Sequence, residues 1–224
     1  FNSVVYELNI RQATEEGTFA AAEAYLPELK EMGVDIVWLM PISPIGVDGR
    51  KGTLGSYYSI IDYKEVNPEF GTMEDFDHFL ATAHDLGLKV IIDWVANHTS
   101  RDANWWKEGK KDWYVMDEAT GLPIVEYDWT DIAKLNYNNA DLRVAMIDAL
   151  KFWIEKGVDG YRCDVAMNVP GDFWAEAWKQ VRQINPDVYL LAEGEEKWLH
   201  EVGFEATYAW EFHHMMNAMA KGGS

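Results

Sequence analysis

The chain has 224 residues, 48% hydrophobic and 25% charged, which suits a folded domain with a sizeable core rather than a disordered or fibrous chain. Its net charge of −19 disfavours nucleic acid and other polyanions as partners and suits a neutral or cationic ligand. No apolar run approaches the ~18 residues of a membrane span, no leader pattern opens the chain, and one cysteine, Cys163, leaves no intrachain disulfide.

The first strand is expected in "SVVYELNI". A unit then recurs in which a helical stretch ends at a glycine and an apolar strand follows. "LPELKEMG" leads into Asp35–Met40, "FDHFLATAHDLG" into Leu88–Asp93, and "IDALKFWIEKG" into Val158–Val165. Glycine just past a helix end takes the left-handed conformation at little steric cost. Phe76, Phe79, Leu80 and Ala83 form one helical stripe, and Leu142, Ala145, Met146, Ala149, Leu150 and Trp153 another. Thr72 with Asp75 predicts a capping box. "FWAEAWKQVRQINPDVYLLAE" gives a fourth helix, closed by proline, and a fifth strand; "FEATYAWEF" predicts a sixth.

Continuous apolar strands such as "LKVIID" mean burial on both faces, hence a parallel sheet covered by helices. An open doubly wound sheet would carry a glycine-rich turn after strand one, and "NIRQATEEGTF" has none. Polar residues instead fall at strand ends: Asp93, Arg162, Asp164 and Glu193. That favours a (β/α)₈ TIM barrel of the α/β class, incomplete here with about six β/α units. The expected division is residues 1–98 for strands one to three, 99–139 for a short inserted subdomain, and 140–224 for strands four to six. With six strands read, strands seven and eight are expected to be absent, with a complementing segment as a partner for the open barrel. The two long connections after strands two and three could wall a cleft with Tyr57, Tyr58, Trp105, Trp106, Trp113 and Trp129.

A glycosidase needs one ionised and one protonated carboxyl. Arg162, two residues from Asp164, is expected to hold that aspartate ionised, while Glu193 follows "VYLLA" with no cation adjacent in sequence, so desolvation should raise its pKa. The plainer readings are a buried ion pair for Arg162–Asp164 and a strand-end cap for Glu193. His98 could bind ligand or metal or cap a helix, and Asn97 is equally open. No zinc, calcium-loop, P-loop or G-x-S-x-G motif occurs.

In order and spacing, "DWVANH" (93–98), "GYRCDVA" (160–166) and "LLAEG" (190–194) resemble three signature regions of the α-amylase family, family 13 of the glycoside hydrolases. "GSYYSIIDYKEVNPEFGT" resembles its tyrosine segment and "AKLNYNN" a fifth signature, so the likeness covers almost the whole chain. It is nearest to starch-degrading amylases and neopullulanase-like enzymes of Bacteroidetes type. The resemblance implies a retaining hydrolase of α-glucans or maltooligosaccharides, with Asp164 as nucleophile, Glu193 as acid/base and Arg162 orienting Asp164. It places Tyr57 and His98 at the reacting sugar and Asp93 in support. It requires no cofactor, although Asn97 matches a position that binds calcium in many relatives. It also implies export (secreted, periplasmic or cell-surface), a cytoplasmic location staying open. The family's fourth signature, an H-D pair, has no counterpart, and "HH" at 213–214 lacks the aspartate; set against the resemblance, the family's C-terminal β-domain is also expected to be absent. Alternatives are a transglycosylase or isomerase with the same residues, and a non-catalytic amylase-like scaffold.

Overall fold

The computed structural model describes residues 3–49 and 55–208. Six parallel strands form one sheet in sequential order: β1 (Val5–Leu8), β2 (Ile36–Leu39), β3 (Lys89–Trp94), β4 (Gly160–Cys163), β5 (Tyr189–Glu193) and β6 (Ala206–Tyr208). Most strands are shorter than the apolar runs that predict them, whereas β3 keeps six residues and shifts by one, to Lys89–Trp94. The part of "FEATYAWEF" beyond Tyr208, and the "HH" at 213–214, lie outside the described residues.

Helices α1 (Leu26–Glu31), α2 (Met73–Asp85), α3 (Ala140–Lys156) and α4 (Gly171–Ile184) cover the outer face. The predicted stops hold: Gly33, Gly87 and Gly157 have φ of +88°, +77° and +107°. At the end of α4, Asn185 is extended because Pro186 follows. The Thr72–Asp75 box forms, with Asp75 N–H donating to Thr72 Oγ1 at 3.1 Å and Thr72 N–H to Asp75 Oδ2 at 2.8 Å.

Alternation along each strand sorts side chains into two layers. Val37, Val90, Ile92, Tyr161, Cys163, Leu190 and Ala192 join the helices in the main core. Ile36, Trp38, Ile91, Leu191 and Tyr208 form a smaller cluster on the inner face. In the lateral register, Asp93 lies beside Arg162, Arg162 beside Leu191, and Glu193 beside Tyr208. Every polar residue at a strand end therefore reaches one rim on the inner side. Between residues 97 and 139, His98–Ser100 pairs antiparallel with Ile132–Lys134, and Met116–Asp117 with Leu122–Pro123.

Not all the predicted cleft aromatics line an opening. Trp105 stacks on Tyr63 with centroids 5.0 Å apart and meets Trp113 edge-on at 5.1 Å, while Trp106 meets Tyr114 at 5.5 Å. These rings supply the core of a segment whose strands, of two or three residues, are too short to build one.

Gly160 packs where β4 passes closest to β5. A Cβ there would fall inside the contact radius of the Tyr189 carbonyl oxygen, a backbone atom with nowhere to retreat. Gly160→Ala is expected to destabilise the chain by about 3 kcal/mol, read as a shift of the urea midpoint.

Candidate active site

The site is organised on one guanidinium. Arg162 is 2% exposed at its side chain, and all three of its nitrogens are engaged. Nε donates to Tyr208 Oη at 2.6 Å, and Nη1 to Asp93 Oδ1 at 2.9 Å and Asp164 Oδ1 at 3.3 Å. Nη2 donates to Glu193 Oε2 at 2.8 Å. Its Cζ lies 4.8 Å from the ring centre of Trp38, 5.7 Å from Tyr208 and 6.0 Å from Tyr58. Flat aromatic faces on a planar cation recover part of the lost hydration, which arginine tolerates better than lysine.

Asp93 is completely buried, with Trp38 Nε1–H donating to Oδ2 at 3.0 Å and Tyr58 O–H at 3.2 Å. Burial nevertheless pushes its pKa up to about 6, against the pull of Arg162. Asp164 and Glu193 are 14% and 15% exposed, so these two carboxyls, rather than Asp93, face outward at the rim.

The structure corrects the electrostatic expectation for Asp164. Its pKa is pushed up to about 7: burial is the largest cause and outweighs Arg162, with Asp93 and Glu193 adding in the same direction. One cation serves three carboxylates, and Asp164 makes the longest of the three contacts. Glu193, with no cation near it in sequence, is reached by Arg162 across the sheet.

The strand ends earlier than the predicted Val165, and for a local reason. β4 stops at Cys163; Asp164 N–H still donates to the Trp94 carbonyl at 2.9 Å; Val165 then turns left-handed, φ 38° and ψ 48°. A β-branched residue there is strained. The turn brings the Val165 N–H to Glu193 Oε1 at 3.1 Å, so both oxygens of Glu193 accept hydrogen bonds.

Of the two adjacent tyrosines, Tyr58 reaches the cluster through Asp93, whereas the ring of Tyr57 carries the Arg11 guanidinium at 4.4 Å. Strand-like alternation gives neighbours opposite faces, and the tyrosine segment alone did not say which one turned inward. Trp38 and Tyr208 were read only as strand residues. Their register beside Ile91 and Glu193 is what makes them part of the site.

His98 is buried, its ring 5.7 Å from that of Trp129, and burial lowers its pKa to about 4, so it is a neutral imidazole at pH 7. Asn97 Nδ2 donates to Glu126 Oε2 at 2.9 Å and lies 3.0 Å from His98 Nδ1. Lys134 Nζ sits on the other Glu126 oxygen at 2.9 Å. Calcium takes about six to eight oxygen ligands. Here Asn97 directs its nitrogen at the neighbouring carboxylate, which already holds an ammonium. Among the described residues no three His, Cys, Asp or Glu side chains gather as a metal site. These groups do not fit a calcium ion.

A parallel barrel sheet with acid groups gathered on one arginine at its C-terminal rim defines a barrel enzyme site. Comparison with known proteins makes the class specific. The family model described as "Alpha amylase, catalytic domain" matches residues 11–223. Alpha-amylase 3 of Dictyoglomus thermophilum is 30% identical over 224 residues, covering 86% of this chain and 43% of that protein. An α-1,4-glucan:maltose-1-phosphate maltosyltransferase of Mycolicibacterium smegmatis is 36% identical over 197 residues, covering 79% and 28%. The crystal structure of an α-amylase from Lactobacillus plantarum superposes with TM-score 0.89 at 39% identity, over 100% of this chain and 56% of that one. The chain belongs to the α-amylase family, family 13 of the glycoside hydrolases, and spans about half the length of these relatives or less.

A carboxyl raised by folding takes up protons as the chain folds. Its stabilising contribution is full below the ordinary carboxyl pKa and is lost as pH rises through about 7. Asp164→Asn is therefore expected to be near neutral at pH 4 and to stabilise the chain by on the order of 2 kcal/mol at pH 8, measured by thermal melts at both pH values.

Proposed function

We propose that the chain carries the catalytic rim of a retaining α-glucan hydrolase acting on starch or maltooligosaccharides. The observation that supports this best is the shared guanidinium: Asp164 and Glu193 leave adjacent strand ends and accept from Nη1 and Nη2 of the same buried arginine. Retaining hydrolysis needs two carboxyls on either side of the scissile bond, one attacking and one protonating. Asp164 is the nucleophile in this reading, attacking the anomeric carbon while Glu193 protonates the leaving oxygen. The covalent glycosyl intermediate is then released by a water that Glu193 deprotonates.

The shift on Asp164 sets the pH range of that chemistry. With Asp164 raised to about 7, the attacking carboxylate becomes available only as pH rises through that value. In the ligand-free arrangement each Glu193 oxygen accepts one hydrogen bond, from Arg162 and from the Val165 N–H. Arg162 touches both carboxyls and compensates whichever holds the charge. Tyr58, joined to Asp93, takes the stacking place first expected of Tyr57, and neutral His98 is suited to donate to or accept from a sugar hydroxyl.

Transfer to a second sugar instead of water uses the same intermediate, and one observation favours it: the Mycolicibacterium relative is named a maltosyltransferase. A purely structural amylase-like scaffold fits less well, because Arg162, Asp164 and Glu193 are all present and in contact.

The test is proton NMR of anomeric signals during digestion of maltoheptaose, by this chain and by any longer chain that contains it. The α-anomer is expected first, with a rate that rises as pH passes through about 7. Glu193→Gln is expected to cost about 10²- to 10⁴-fold in kcat. A β-anomer first excludes the retaining assignment, and products longer than the substrate select transfer.

We further propose that Lys134 supplies the positive charge at Asn97 and Glu126 and that activity needs no calcium. Chelation with EDTA is expected to leave Tm and rate unchanged, whereas Lys134→Ala lowers Tm. A Tm that falls with EDTA and recovers with calcium overturns this.

A further inference from the structure

Val95, Ala96, Asn97 and His98 follow β3 and are buried, at 1%, 0%, 2% and 3% exposure. Carbonyls in such a stretch cannot turn to water, so each needs a donor from the protein. Leu135 N–H donates to the Asn97 carbonyl at 3.1 Å. Two phenols meet the other three. Tyr63 O–H donates to the Val95 carbonyl at 2.6 Å and lies 2.9 Å from that of His98. Tyr137 O–H donates to the Ala96 carbonyl at 2.5 Å.

The two tyrosines come from different parts of the chain, Tyr63 from the connection between β2 and α2 and Tyr137 from the one leading into α3. Both are fixed at ring and backbone. Tyr63 stacks on Trp105 at 5.0 Å and 28°, and its carbonyl accepts from Trp153 Nε1–H of α3 at 2.7 Å. Tyr137 meets the Phe173 ring of α4 at 4.7 Å, and its carbonyl accepts from Arg143 Nε of α3 at 2.5 Å. Burial raises both phenols well above their ordinary pKa, so they stay protonated donors. His98 closes the held stretch. Its imidazole lies against the backbone of Tyr58, whose hydroxyl donates to Asp93.

We propose that Tyr63 and Tyr137 are positioning residues of the catalytic rim, whose hydroxyls hold the backbone of Val95 to His98 so that the His98 imidazole meets the reacting sugar. The proposal rests on the α-glucan reading and on His98 as part of that site. Both hydroxyls face backbone carbonyls, so their effect on the reaction runs through His98.

The experiment is a double-mutant cycle on kcat and KM for maltoheptaose, in this chain and in any longer chain that contains it. Tyr63→Phe and Tyr137→Phe keep the packed rings and remove only the hydroxyls. Each is expected to lower kcat about 10- to 100-fold with little change in KM, the effect of a small misplacement. In a His98→Gln background the same changes are expected to cost less than about twofold, because their route is already cut. Tyr114→Phe is the control, a buried phenol that pairs with the Thr99 hydroxyl instead of this backbone. It is expected to lower Tm and leave kcat unchanged. If Tyr63→Phe does not fold, Tyr137→Phe, which frees a single carbonyl, carries the test. A loss of Tm with kcat intact overturns the positioning role and leaves the α-glucan reading standing. So does an equal loss in the His98→Gln background, or in Tyr114→Phe. If the parent neither binds nor cleaves maltoheptaose, the α-glucan reading fails and the positioning role with it.

Discussion

Arg162 carries a full charge in a place that water does not reach, and the rest of the site is a set of terms for keeping it there. A lone buried guanidinium would be costly. Three carboxylates, a phenol and the faces of three aromatic rings share the task, and they come from strands β2, β3, β5 and β6 and two connections. Burial first, and then the repulsion among carboxylates that outnumber the cation, raises the pKa values of Asp93 and Asp164. Buried carboxyls that hold protons near neutral pH weaken the fold as pH rises.

Parallel register is what makes the arrangement reachable. Asp93 and Arg162 are lateral neighbours, and Glu193 lies one pleat beyond the partner of Arg162, on the same face. A slip of one residue in β4 would turn Arg162 toward the helices and strand its charge in the main core. Gly160 guards that register from below, since only a residue without a side chain lets β4 approach the Tyr189 carbonyl. Above, the left-handed Val165 ends the strand and ties it to Glu193.

What could be read from the sequence follows from which interactions are local. Helix stripes, the capping box and the glycine stops depend on residues within a few positions of each other, and they appear as expected. The likeness of "GYRCDVA" and "LLAEG" to family signatures located the carboxyls without any geometry. The partners of those groups were hidden, because Trp38, Tyr58, Tyr208 and the Arg162–Glu193 contact depend on lateral register across tens of residues. The direction of the Asp164 shift was misjudged for the same reason. Spacing showed the nearby cation but not the two further carboxyls, nor how far burial would outweigh Arg162. The resemblance pointed to Tyr57, and it is Tyr58 that the turn joins to Asp93.

Cys163 sits between Arg162 and Asp164 and points the other way, sealed under the helices, with burial holding its thiol far from ionisation. It is the only sulfhydryl in the chain. An alkylating reagent can therefore reach it only at moments when the helical cover lifts from β4. The protein carries its own clock for that event: the rate of thiol labelling counts how often the strand that bears Arg162 is laid bare.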